Sequence, residues 1–480
     1  MALSRRSFLR NSAAAGIGVT AVSTIAPLSR TALAATPAGG YGPLVADPQG
    51  ILDLPAGFSY KLIANSLAAN GVRPGVVSDT LTGGAPYPNN ADGTGSFWFP
   101  ATSRTVLVQN HELGNSPTGG VPKNVSTAPV YDPGATNGGT TNIVLDVDAN
   151  VIERYASIAG TMSNCAGGVT PWGSWLTCEE TETVLNGVKH GYVFEVDALG
   201  TATTGQPLKA MGRFAHEAVA IDPATNYAYL TEDASSPNGL MYRFRPTNTA
   251  GGFNSYAAGG ALDAMICHTA GGDIIDDLSQ ITTVGTVLNV TWTPVPDADF
   301  ASVSIRKQFP YPAVGSTMSS VAVTRAKKYE GIWWGAGAFW INSSYAHPTD
   351  LPVSVTTTSL PPVAHDGQVW KLDPVAQTLT LVTIFPLGNA TTYGTEGNFD
   401  GPDNIVVSPH GGAFLCEDGE GLSHVVGLDA AGVPYAFALT CRTHTSWPAA
   451  MVPAADVKLV LQPIEYSPFA TEIAAGEGPL

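Results

Sequence analysis

Carboxylates gathered at the ends of short apolar runs are the residues of this chain best suited to chemistry. Val106-Leu107-Val108-Gln109-Asn110-His111-Glu112 is one such run, and Trp175-Leu176-Thr177-Cys178-Glu179-Glu180 is another. Tyr229-Leu230-Thr231-Glu232-Asp233 and Phe414-Leu415-Cys416-Glu417-Asp418 repeat the phrase. One acidic strand end is ordinary. Several built on one plan would deliver carboxylates to a common place, where they repel one another unless cations sit among them.

The densest stretch runs from Asn164 to Glu180. Cys165 precedes a glycine-rich turn, and the strand after that turn ends on Glu179-Glu180. A thiolate beside carboxylates favours a transition metal such as iron near hard oxygen ligands, over calcium alone. A buried free Cys165 and a Cys165–Cys178 disulfide are the plainer alternatives. In Gly212-Arg213-Phe214-Ala215-His216-Glu217-Ala218, Glu217 could ligate metal with His216 orienting it. A surface His-Glu pair is the competing reading, and Asn110-His111-Glu112 shares that ambiguity. Phe399-Asp400-Gly401-Pro402-Asp403-Asn404 offers several oxygens in one turn, as calcium sites do, although such turns also form for local reasons. Glu179-Glu180 therefore weigh most among the repeated ends, and Glu112 least.

The elements that must position these residues read as strands. Gly191–Asp197, Gly239–Arg245 and Gly367–Asp373 share one pattern: Gly, alternating apolar residues, then a polar turn. Val219-Ala220-Ile221-Asp222-Pro223 leads through a turn to Tyr227–Asp233, and Ile405-Val406-Val407-Ser408-Pro409 leads through His410-Gly411-Gly412 to Ala413–Asp418. Period-two patterning with tight turns describes antiparallel sheets. Repeats of this size predict an all-β chain folded as a β-propeller, six-bladed with sizeable loop insertions or seven-bladed with smaller ones, whose like strand ends meet at one axial mouth. A pair of β-sandwiches is the alternative.

The 480 residues include 53 Gly and 36 Pro and carry a formal charge of −17. Residues 1–34 hold Arg5, Arg6, Arg10 and Arg30 and no acid, so the remainder has 18 basic against 39 acidic residues, a charge of −21. Such a surface opposes nucleic-acid binding, which needs basic groups to displace counterions. It also repels an anionic substrate unless bound metal reverses the sign locally. Ser4-Arg5-Arg6-Ser7-Phe8-Leu9-Arg10, a mild apolar stretch to about Leu28 and Ala32-Leu33-Ala34 read as a twin-arginine export signal with its cleavage site. That predicts delivery by the twin-arginine translocation machinery to the periplasm or outside the cell, with metal acquired before export. After a Pro/Gly-rich lead-in at 35–55, residues 56–480 show no composition break and read as one domain. No later segment is long and apolar enough to span a bilayer. Five cysteines (165, 178, 267, 416 and 441) leave at least one unpaired, and the lack of a C-x-x-C argues against structural zinc. Nothing resembles a dimerisation element, so a monomer is expected.

Taken in order, these motifs resemble the PhoX family of secreted alkaline phosphatases: the export signal, Asn110-His111-Glu112, Cys165–Glu180, Gly212–Ala218 and Gly401-Pro402-Asp403-Asn404-Ile405. The resemblance spans nearly all of the mature chain, and Cys165–Glu180 is its most specific part. It implies a six-bladed propeller holding two irons and several calcium ions, coloured purple, that hydrolyses phosphomonoesters without a protein nucleophile. Carried over residue by residue, it implies Cys165 as an iron ligand and Glu180, Glu217 and Glu330 as ligands to iron or calcium. Glu232, Asp233, Asp403 and Asp418 are implied as further metal ligands with individual roles open, and Asn142 as a contact to phosphate. One departure stands out. The family places an Arg two residues before the carboxylate matched to Glu330, whereas here the stretch is Arg325-Ala326-Lys327-Lys328-Tyr329-Glu330. Either Lys328 replaces that Arg or Arg325 reaches in from earlier in the chain. Lysine would bind phosphate as a point charge, without the bidentate fork. A calcium-stabilised propeller that only binds partners, and a calcium-dependent lactonase, are the competing functions, and neither has a use for the Cys165 thiolate.

Overall fold

A computed structural model describes residues 39–440, apart from 49–50, 65, 67–78, 116–118, 124–127, 135–136, 236, 312–322, 348–361, 389–397, 409–410 and 420–422. The export signal, Pro409-His410 and Cys441 lie outside the described residues. The fold is all-β, as expected. Helix among the described residues is limited to short turns such as Ile305–Gln308.

The chain enters on β1 (Leu44–Val45) and β2 (Leu52–Pro55), an antiparallel pair. β3 (Ala91–Phe99), β4 (Arg104–His111), β5 (Gly138–Leu145) and β6 (Val151–Thr161) make a four-stranded antiparallel meander. β7 (Asn164–Val169) and β8 (Ser174–Glu179) follow. After the small hairpin of β9 (Val184–Leu185) and β10 (Val188–Lys189), β11 (Val193–Asp197) completes a three-stranded meander. The third consists of β12 (His216–Ile221), β13 (Ala228–Glu232), β14 (Gly239–Pro246) and β15 (Gly260–His268). Then come β16 (Ile274–Ile275), β17 (Val287–Pro294) and β18 (Arg325–Ala326). The fourth meander is β19 (Tyr329–Gly335), β20 (Ala338–Ser343), β21 (His365–Asp373) and β22 (Thr378–Pro386). The fifth is β23 (Pro402–Val407), β24 (Ala413–Glu417), β25 (His424–Leu428) and β26 (Pro434–Thr440), with β2 added to its outer edge.

The alternation that makes these strands is plain in β22, where Leu379 and Leu381 are buried and Thr378 and Thr380 are half-exposed. β17 pairs with both β15 and β22, so the third and fourth meanders fuse at their outer edges. Five meanders are counted among the described residues, so the six expected blades are not all represented there.

The first strand of each meander is innermost, and these strands pack side by side in order: β3 on β7, β7 on β12, β12 on β19, β19 on β23. The approach is close. A Cβ on Gly168 would strike the Val219 carbonyl, and one on Gly331 would lie 2.7 Å from the Ile405 amide nitrogen. Glycine is therefore required where inner strands meet.

Candidate metal centre

Every innermost strand begins with the same irregularity. Its pairing with the second strand slips just after its first residue: between Ala91 and Thr94, Asn164 and Gly167, His216 and Val219, Tyr329 and Ile332, and Pro402 and Ile405. A bulge lifts its residues off the ladder and re-aims their side chains. The first bulged residue is in turn Asp92, Cys165, Glu217, Glu330 and Asp403. All five positions thus carry a side chain that can bind metal.

Three groups converge there: Asp92, Glu112 and Cys165; Cys165, Glu180 and Glu217; and Glu217, Glu330 and Asp403. Within each, the ligand atoms lie within 4.8 Å of one another. Cys165 and Glu217 are shared, so the three groups form one chain of donors.

The second strands supply the rest, and strand alternation divides their acidic doublets. Glu179, Glu232 and Glu417 stand opposite the first residues of their inner strands, Asn164, His216 and Pro402. Each is a structural acceptor. Glu179 accepts from the Met162, Gly191 and Tyr192 amides and from His190 Nδ1 at 2.7 Å. Glu232 accepts from the Leu240 amide and the Tyr242 hydroxyl and pairs with Arg306 at 3.0 Å. Glu417 accepts from the Asp400 and His424 amides and from His424 Nδ1. The next residue points the other way. Glu180 joins the Cys165 group, and Asp233 hydrogen-bonds with Glu180 and pairs with Lys328 Nζ at 2.9 Å. Glu112 follows His111 in the same manner and joins the Asp92 group.

Burial pushes the carboxyls of Glu180, Glu217 and Glu330 well above the usual carboxylate range. Neighbouring acids push them further: Asp233 and Glu112 act on Glu180, Asp403 and Glu330 on Glu217, and Asp233 and Asp403 on Glu330. The Cys165 thiol donates to Glu217, with Sγ 3.3 and 3.1 Å from its two oxygens. Lys328 Nζ also reaches Glu330 at 3.3 Å. Burial alone would lower the Lys328 pKa, but Glu330 and Asp233 outweigh it and raise it. One ammonium cannot balance this many buried acids, and the donor set of one sulfur among hard oxygens suits a transition metal together with calcium. The residues present therefore fit the implied ions.

The structure thus brings together Cys165, Glu180, Glu217, Glu330, Asp403, Asp233 and Lys328. Five expected residues do not join them in the roles expected. Glu232 has both oxygens committed to Arg306, Leu240 and Tyr242, so it braces the strand end rather than facing the centre. Arg325 donates to the Asn238 and Arg306 carbonyls, each at 2.9 Å, which makes Lys328 the cation at the centre. Asn142 donates to the Ala198 carbonyl at 2.6 Å. Its partner on β4 is Val108, while His111 marks the end of β4 at the centre, about 10 Å further along the strand. Asp418 follows β24 as Glu180 follows β8, but its carboxylate enters none of the three groups. His216 does not orient Glu217: its ring stacks on Phe214 at 3.5 Å, with Nε2 at the Gly212 carbonyl. None of the four described cysteines is in a disulfide, which removes the Cys165–Cys178 bridge.

Asp92 is a candidate ligand position that sequence reasoning missed. Its signal was available in the residue that follows. Four of the five bulges read Asp92-Gly93, Cys165-Ala166, Glu217-Ala218 and Glu330-Gly331, a ligand type followed by a small residue where inner strands touch, and the fifth is Asp403-Asn404.

Fold and centre together define an all-β, propeller-like protein organised around a buried cluster of one thiol and several carboxylates. The family model for alkaline phosphatase PhoX matches residues 39–151 and 146–474. The chain belongs to that family and is a phosphoric monoester hydrolase. Among solved structures, it is similar to Pseudomonas fluorescens PhoX in complex with vanadate, a transition-state analogue. That match has 16% identity, covers 82% of this chain and 87% of that one, and has a TM-score of 0.54. It is more distantly similar to the periplasmic gluconolactonase of Pseudomonas aeruginosa, with 12% identity, 74% and 86% coverage and a TM-score of 0.32. A search of curated proteins returned no match.

Proposed function

We propose that the centre holds iron and calcium and hydrolyses phosphate monoesters without a protein nucleophile. The observation that carries this reading is the Cys165 thiol lying among Glu180 and Glu217, since sulfur beside clustered carboxylates suits iron next to a hard cation. Cys165 and Glu217, shared between neighbouring groups, would hold the ions together with the oxygen donors Asp92, Glu112, Glu180, Glu330 and Asp403. When bound, such ions polarise phosphoryl oxygens and offset the charge that develops on them. Lys328 contributes a fixed cation for the dianionic substrate. Its Nζ is held by Asp233 and Glu330, and its backbone sits in the left-handed region at φ 52°, which aims the side chain across the strand end. Against the acidic surface, bound cations together with Lys328 would supply the local positive charge that an anionic substrate needs.

The twin-arginine-like segment at 1–34 supports delivery of a folded, metal-loaded protein outside the cytoplasm, and the unbroken composition of residues 56–480 supports one catalytic domain. No described helix is long and apolar enough to cross a membrane.

The test combines elemental analysis with hydrolysis of a chromogenic aryl phosphate at alkaline pH, on wild type and Cys165→Ala. The reading requires a coloured, iron-containing wild type and a variant that loses both iron and activity. A colourless, iron-free wild type from iron-replete cells, or a fully active Cys165→Ala, refutes it.

A further inference from the structure

A bulge that aims a ligand also leaves main-chain carbonyls without their ladder partners, and buried carbonyls need others. The second strand of the preceding meander supplies them. Asn110, the residue before the last of β4, donates its amide nitrogen to the carbonyls of Cys165 at 2.8 Å and Ala166 at 2.7 Å. Its amide oxygen accepts from Trp175 Nε1 at 2.9 Å and Thr177 Oγ1 at 2.8 Å. Those two donors fix which end of the amide faces the bulge. Asn342, the residue before the last of β20, donates to the carbonyl of Asp403 at 2.7 Å. Both asparagines are fully buried. Thr231, at the same place on β13, bonds both the amide and the carbonyl of Ala218 in its own meander's bulge.

We propose that Asn110 and Asn342 are positioning residues. Each reaches from one meander to the next and holds the main chain of a bulge so that Cys165 or Asp403 points into the centre. The two carboxamides also couple neighbouring meanders at the end where the centre is built. Asn110 has no capacity left for a ligand, because both hydrogens of its amide nitrogen and both lone pairs of its amide oxygen are bonded to protein.

The inference rests on the proposed metal reading in one arm of its test only. In that arm, Asn110→Ala and Asn342→Ala are titrated with a chelator, and each is expected to hold iron or calcium about 10- to 100-fold more weakly than wild type. In the other arm the stripped proteins react with iodoacetamide, and labelled peptides are quantified by mass spectrometry. Asn110→Ala is expected to speed labelling of Cys165 several-fold while Cys178 and Cys267 stay at the wild-type rate. Asn342→Ala is expected to leave all three unchanged. If Asn110→Ala does not fold, Trp175→Phe removes one of the donors that orient Asn110 and carries the same test with a smaller effect. Parallel acceleration of Cys165, Cys178 and Cys267 would show general loosening and overturn the proposal, as would Cys165 labelling that does not change. A wild type without bound metal would sink the functional reading and leave the labelling result to decide this one.

Discussion

Stripping the metal should make the protein less stable as pH rises. Glu180, Glu217 and Glu330 have raised folded-state pKa values without ions present, burial being the largest cause in each case. Such a carboxyl keeps a proton that the unfolded chain has released above pH about 4.3, so stability is lost as pH climbs toward the folded pKa. Each retained proton is worth about 1.4 kcal/mol per pH unit, so three set a ceiling of about 4 kcal/mol per pH unit. Buried histidines pull the other way at low pH. Burial lowers His111 to about 4, His216 to about 3 and His365 to about 4, and their contribution is lost as pH falls below about 6.5. The window therefore opens above about pH 6.5, where the histidine contribution is complete, and stays below about pH 8, where unfolded cysteines begin to titrate. His190 is raised by Glu179 and Asp132 against the opposing effect of burial, which adds a slope of the same sign as the carboxyls. A comparison with Glu217→Gln cancels it. Denaturant unfolding of chelator-treated protein should show wild type weakening as pH rises above about 6.5, with Glu217→Gln more stable and less steep by up to about 1.4 kcal/mol per pH unit. Reloaded wild type should move the opposite way, because metal competes with protons for the same oxygens. A flat profile in stripped wild type, or an identical slope in Glu217→Gln, would falsify the view that these acids are destabilised for the sake of the ions.

Glu232→Gln should cost about 1–3 kcal/mol in unfolding free energy by disturbing the Arg306, Tyr242 and Leu240 contacts, while elemental analysis finds the metal content unchanged. Glu180→Gln should do the reverse in metal content, losing ions at chelator concentrations that wild type tolerates. Lys328→Ala should lower kcat/KM for an aryl phosphate by about 10²- to 10³-fold, as loss of one preorganised donor to a developing oxyanion does. Arg325→Ala should mainly lower Tm, and a loss of activity equal to that of Lys328→Ala would reverse their assigned roles. Asp92→Asn should weaken metal retention although Asp92 lies far in sequence from the Cys165–Glu180 segment; unchanged retention would remove it from the centre.

The all-β architecture was legible because alternation and turn residues are local signals. The number of meanders was not. β17 joins β15 to β22 across more than 80 residues of sequence, a pairing that no local pattern announces. The acidic strand ends were legible as a set but not as individuals. In Glu232-Asp233 both residues are acids, and only the register of β13 against β12 shows that Glu232 faces Arg306 while Asp233 faces Lys328. Shifting that register by one residue would exchange their roles. Asn142 was misplaced for a related reason: its motif sits on the third strand of a meander, well away from the bulges.

Cys165, Glu217, Glu330 and Asp403 were singled out through the motifs they share with the family, whereas Asp92 lies outside those motifs although its strand carries the same bulge. In a regular strand, a ligand on the innermost position would point at the neighbouring inner strand, where Gly93, Gly168 and Gly331 show that not even a Cβ fits. Slipping the ladder by one residue frees the side chain to turn toward the strand end, and the small residue after it keeps the strands in contact. Both demands fall on adjacent residues, so the local signature at four of the five bulges is a ligand type followed by Gly or Ala at the start of an apolar run, Asp403-Asn404 being the exception. That signature depends on packing between strands some 50 to 110 residues apart, as from Cys165 to Glu217 and from Glu217 to Glu330. It is therefore interpretable only once the inner strands are known to touch. Acidity alone marks Asp92 no more strongly than any of the chain's other acids, whereas Asp92-Gly93 at the head of β3 marks it on the same grounds as Glu330-Gly331 at the head of β19.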